Sequence, residues 1–138
     1  MSFNPLSEVR YRYRLAIEHL ERAERLFSLR DWVGAVSASQ MAVENFAKVV
    51  IVAFEVPTWS HDPSNQLNGM HACLARELAP EHGRSSYGEP IGGMVPSDIY
   101  REDHASNALE KGRKAREITE KVLNRLNIRL KQRSGGNS

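Results

Sequence analysis

The chain has a single cysteine, Cys73, which excludes an intrachain disulfide and a CxxC metal site. That scarcity predicts a reduced, cytoplasmic setting. Long apolar runs are missing as well. The longest, Val49 to Phe54, falls far short of the roughly 20 residues that a bilayer-spanning helix takes. Around Met1-Ser-Phe-Asn-Pro5 no basic segment leads into an apolar one, so no secretory leader is predicted. No segment alternates apolar and polar residues with a period of two, so no strand is predicted. There is no internal repeat and no low-complexity tract. No His, Asp or Glu group has metal-ligand spacing, so neither a metal nor another cofactor is predicted.

What remains suits one all-α globular domain. A chain of 138 residues with 41% hydrophobic content can bury a real core. The domain is expected to span 1–133, with a disordered tail from Ser134 to Ser138. Net charge is only +2, but it is unevenly spread. Lys111, Arg113, Lys114, Arg116, Lys121, Arg125, Arg129, Lys131 and Arg133 are opposed within the same stretch only by Glu117 and Glu120. Such a helix end is either a solvated face favoured by the helix dipole or a surface for RNA, phosphate or an acidic partner.

Four helices are predicted. The first runs from about Ser7, as N-cap, to Ser28. Leu15, His19, Leu26 and Leu29, flanked by Ala16, Leu20, Ala23 and Phe27, form its apolar face. Asp31 caps the second, from about Trp32 to Glu55, and Pro57 stops it. So short a link makes these two antiparallel neighbours. Asp62-Pro63 starts a third that ends near Pro80. A long Gly-, Ser- and Pro-rich loop is expected from Glu81 to Asp98. The fourth helix is expected from near Tyr100 to about Lys131, about 45 Å at 1.5 Å per residue, so its basic end would project beyond the bundle.

The second helix is the most informative element. Gln40, Glu44 and Lys48 recur every four residues and form one polar stripe on a helix otherwise apolar enough to be buried. Polar groups in such a place are costly unless paired or used. Glu44 and Lys48 form an intrahelical ion pair, or Lys48 meets a phosphate with Gln40 as a hydrogen-bonding neighbour. Phe46, Val49, Val50, Ile51, Val52, Ala53 and Phe54 are apolar around the whole helix circumference. They need cover on two sides, from a second copy in a homodimer or from the long loop.

The ordered pieces resemble the HEPN family, the "higher eukaryotes and prokaryotes nucleotide-binding" domains. They are Ala16 and Ala23 in the first helix, Asp31-Trp32-x-x-Ala35, then Gln40-Met-Ala-Val-Glu44-Asn-Phe-Ala-Lys48. Pro57, the step from His61-Asp62 to Leu67, Tyr87, Pro90, Tyr100 and the Glu102-Asp103 to Ala108 entry into the last helix follow. The resemblance covers about residues 10–130. It implies an all-α, up-and-down bundle of four to five helices, usually a homodimer. It implies no single activity, because the family includes metal-independent ribonucleases, partners of minimal nucleotidyltransferases in toxin–antitoxin-like pairs, and non-catalytic nucleotide-binding modules.

Ribonuclease members carry Arg, four to six residues, then His. Arg76 and His82 meet the spacing with five residues between them, but Pro80 interrupts a single-helix presentation. Arg12 and Arg14 meet it toward His19 in the wrong helix, and Arg101 lies too close to His104. The leading expectation is therefore a non-catalytic nucleotide- or RNA-associated module working with a minimal nucleotidyltransferase. Gln40, Glu44, Lys48, Tyr100 and Arg101 are its candidate nucleotide-binding residues. The alternative is a metal-independent endoribonuclease. There His82 shuttles a proton and Arg76 stabilises the phosphorane charge at a dimer cleft. A purely structural dimeric adaptor is the third reading. Incubating the protein with a mixed RNA pool in EDTA separates them. The leading expectation predicts intact RNA, whereas cleavage that His82→Ala abolishes without unfolding the chain would establish the endoribonuclease.

Overall fold

In the computed structural model the described residues are 4–56, 88, 89 and 91–130. They form an all-α arrangement of α1 (Pro5–Ser28), α2 (Trp32–Ala53), a short α3 (Pro96–Ile99) and α4 (Glu102–Arg125). Among them the sole extended pairing is an isolated antiparallel bridge between Glu89 and Met94. The predicted third helix from Asp62 to Pro80, with Pro57 and the tail, lies outside the described residues.

Local chemistry sets each helix end. α1 starts two residues earlier than Ser7, because Asn4 caps it: the Asn4 side chain accepts the Leu6 N–H at 3.0 Å, and Pro5 is pre-shaped for the first helical position. Ser7 is simply an exposed residue of the first turn. The helix stops at Arg30, whose φ of 64° reverses the chain. That stop leaves Leu29 outside the helix and 75% exposed, so it is not part of the apolar face. Asp31 caps α2 as expected, accepting the Gly34 N–H at 2.9 Å. A Cβ on Gly34 would lie 2.6 Å from the Asp31 carboxylate, so glycine there leaves room for the cap. α2 ends at Ala53 rather than Glu55, with Phe54 as its cap residue.

α4 departs most from expectation. It begins at Glu102, because the last residues of the predicted loop form α3 instead. It ends at Arg125, so its 24 residues match those of α1. Asn127, with φ of 59°, turns the chain back, and the Ile128 N–H reaches the Leu123 carbonyl at 2.9 Å. Leu126 and Ile128 are buried beyond the helix end. Apolar anchoring thus defeats the projection that periodicity suggested.

Two core clusters fix the helix directions. One joins Ala16, Leu20 and Ala23 of α1, Ala35 to Phe46 of α2, and Ala105 to Ala115 of α4. The other joins Val9, Val49, Val50 and Ala53 with Ile118, Val122, Leu123 and Leu126. α1 therefore runs antiparallel to α2 and α4, and α2 runs parallel to α4. Apolar spacing predicts an inner face for the α4 segment of Ala105, Ala108, Leu109, Gly112, Ala115, Thr119, Val122, Leu126 and Leu130; the first eight are buried and Leu130 is half-buried. Most of the run on α2 is covered within the chain, since Val49, Val50 and Ala53 are buried; Ile51 stays 59% exposed.

Two substitutions test this account. Phe46→Ala removes a fully buried ring and is expected to cost about 3–5 kcal/mol in denaturant unfolding. Asp31→Ala leaves the first turn of α2 without its acceptor and is expected to cost about 1 kcal/mol.

Candidate functional site

The polar stripe of α2 is built by helix periodicity and then buried by packing. Ser39 and Gln40 are fully enclosed, Asn45 nearly so, Glu44 is half-buried and Lys48 is exposed. The Gln40 amide donates to the Glu44 carboxylate one turn on. Asn45 returns its amide to the Met41 carbonyl at 2.9 Å. Gln40 Oε1 and Ser39 Oγ find no hydrogen-bond partner among the described residues. The expected Glu44–Lys48 ion pair does not form, because Glu44 turns toward Gln40. The stripe thus reads, from core to surface, as an amide, a carboxylate and an ammonium.

The remaining candidates are scattered. Tyr100 is buried in the first core cluster, edge-on to His104 with ring centroids 5.9 Å apart. Arg101 is exposed, and its backbone N–H donates to His104 Nδ1 at 3.2 Å. His104 therefore serves the start of α4. His19 is half-buried, and burial followed by the nearby Arg22 pushes its pKa below the ordinary value. Arg76, His82, His61, Asp62 and Tyr87 lie outside the described residues. Among the described residues, no three His, Cys, Asp or Glu side chains converge as a metal would require.

The basic end of α4 is less bare than its sequence suggests. Arg113 meets Glu24 of α1 at 3.3 Å and Glu110 at 3.6 Å. Glu117 lies 3.6 Å from Lys114 and 4.0 Å from Lys121. Arg116 meets Glu120 at 2.9 Å. Glu24 and Glu110 are the carboxylates that counting residues 111–133 left out. Exposed pairs of this kind contribute little stability, about 0–1 kcal/mol each, but they cancel charge locally.

One polar cluster had no counterpart in the sequence reading. The Tyr13 hydroxyl donates to Glu120, the same carboxylate that receives Arg116. The Tyr13 ring packs edge-on against Phe46, 6.0 Å between centroids. Burial, then the hydrogen bond and charge of Glu120, push the Tyr13 phenol up to about 12. The three groups border an open groove of about 580 Å³ that Asn124 and Arg129 also line. Nothing local announces the pairing, since Tyr13 and Glu120 stand 107 positions apart. The sole hint is that both lie on helix faces next to the apolar stripe.

Comparison with known protein families gives a match to the HEPN domain over residues 9–128. The chain belongs to the HEPN domain family, whose members are nucleotide- and RNA-related modules. No curated protein and no solved structure matches it. Among the described residues no helix is long and apolar enough to cross a membrane.

The Tyr13 environment has a measurable pH signature. Its folded pKa lies above the unfolded value, so the folded chain holds the phenolic proton more tightly. The resulting stability is complete below about pH 10 and is lost as pH rises through about 12. Ultraviolet titration should show a tyrosine step near 12 that Tyr13→Phe reduces by one group. A tyrosine titration with every step near 10 would contradict the cluster.

Proposed function

We propose that this HEPN chain is a non-catalytic module that binds nucleotide or RNA, acts as a cytoplasmic homodimer and works beside a minimal nucleotidyltransferase. The observation that carries the reading is the graded polar stripe on α2. Gln40 and Glu44 are held in a hydrogen-bonded pair inside a helix whose other faces are core, and the stripe ends at the exposed Lys48. Pairing removes part of the cost of burying these groups, but Gln40 Oε1 has no hydrogen-bond partner among the described residues, and that cost stands unless the stripe is used. Lys48 offers a charge for phosphate, and half-buried Glu44, steadied from behind by the enclosed Gln40, offers an acceptor to a base edge or ribose.

Family membership supports the substrate class. The dimer has a separate motive. Ile51, exposed three residues after Lys48, shares its helix face. A second copy packed there would cover Ile51 and bring two Lys48 ammonium groups toward one groove. Absence of catalysis is supported by the departure from the Arg–His pattern. The Arg101–His104 pair near the last helix is too short for it, and the structure uses His104 to hold a backbone N–H.

Binding of a short labelled RNA and of nucleotides, with affinity falling as salt rises, is the expected result. Lys48→Ala should weaken it at least several-fold while circular dichroism stays unchanged. Co-expression with a minimal nucleotidyltransferase should recover both proteins in one complex. A chain that binds neither RNA nor nucleotide and retains no such enzyme would sink the reading.

A further inference from the structure

We propose that the groove between the first half of α1 and the last turns of α4 binds a phosphate monoester carried on an apolar body. Its volume of about 580 Å³ lies inside the roughly 300–1,000 Å³ usual for small-ligand sites. The groove has two chemically different parts. Buried Leu123 and Ile128, with half-buried Leu130, give it an apolar floor. Arg116, Asn124 and Arg129 give it a donor-rich rim.

The charge balance favours an anion. Glu120 is the one carboxylate among the lining residues, and Tyr13 and Arg116 already occupy it. Arg129 is exposed and meets no carboxylate among the described residues. Arg10 adds a third guanidinium nearby, its Nε lying 3.4 Å from the Arg129 carbonyl oxygen, and so ties down the backbone that carries Arg129. The negative end of α4 works against an anion, but its last carbonyls are already engaged. Those of Val122, Leu123 and Asn124 accept the N–H groups of Leu126, Ile128 and Asn127 at 3.0, 2.9 and 3.1 Å.

Both parts of the groove have to be used at once. Inorganic phosphate would leave the floor wet, and an uncharged apolar molecule would leave the Arg129 guanidinium without an anion. A phosphate offers three oxygens to more than one guanidinium, which a single carboxylate does less well. Nucleoside monophosphates and short-chain phosphatidic acids share this chemistry. The groove lies apart from the α2 stripe, so loss of nucleic-acid binding at Lys48 leaves this inference standing.

Isothermal titration of the full chain tests it with 1-naphthyl phosphate, adenosine 5′-monophosphate, dihexanoyl phosphatidic acid, inorganic phosphate and 1-naphthol. At least one of the three organic phosphates should bind at one site per chain, at least 10-fold tighter than inorganic phosphate or 1-naphthol. The tighter of adenosine 5′-monophosphate and dihexanoyl phosphatidic acid identifies the natural source. Arg129→Ala should weaken that binding at least 10-fold, and Arg129→Lys should restore part of it. Lys114→Ala, on α4 but outside the groove, should change it less than twofold. Equal affinity for inorganic phosphate, no binding of any organic phosphate, or an equal loss in the Arg129 and Lys114 variants would overturn the proposal.

Discussion

Close approach of helices across small side chains is the constraint on which the structure rests. Ala16 and Ala23 on α1, Ala35, Ala38 and Ala42 on α2, and Ala105, Ala108 and Ala115 on α4 share one core cluster. Gly112 marks one close approach: a Cβ there would sit 3.0 Å from Leu20 Cδ1. Contacts this short bring the helix backbones together, and α2, which touches each of the other three described helices, becomes their common neighbour. Packing at near-crystalline density then leaves little room for adjustment. The polar stripe inherits that rigidity. Gln40 is enclosed because the helix around it is enclosed, and its amide takes the partner within reach, Glu44.

The second organising event is the reversal after α4. Asn127 adopts a conformation that L-residues other than Asn and Asp rarely choose. The turn drops Ile128 back into the core beside Leu123 and Leu126. It also carries Arg129 alongside α1, where Arg10 holds its carbonyl. A helix that simply continued would have sent the same side chains into solvent. Ile128, Arg129 and Leu130 thus reach the groove through one residue's backbone geometry, while α1 and α4 supply the rest of its lining.

Much of the fold was legible because it depends on neighbours in sequence. The apolar spacing of α4 located its inner face from Ala105 to Leu126, and the aspartate before Trp32 announced the start of α2. Periodicity could not tell where α4 stops, since Leu126, Ile128 and Leu130 keep an apolar rhythm through a turn. Ser7 and Asn4 are both good caps, and the proline after Asn4 decides between them. Leu29 looked like a core residue by spacing, but the left-handed Arg30 ends the helix beneath it. The candidate site was legible only where it is local. Gln40 and Glu44 meet because they are one turn apart. Tyr13, Arg116 and Glu120 meet because two antiparallel helices cross the whole length of the chain to find each other, and no spacing rule encodes that.

The three-residue link between α1 and α2 has a consequence for assembly. Contacts across that link join residues near in sequence, so closing them costs little chain entropy. Docking α4 closes a far longer stretch, from Phe54 to Arg101, and gains its reward only when the α1–α2 surface is already in place. Loop-closure cost therefore favours the hairpin as scaffold and α4 as the later addition. The pieces of the groove on α1 and α4 come together in that final step, so occupancy of the proposed organic-phosphate site would report completed folding.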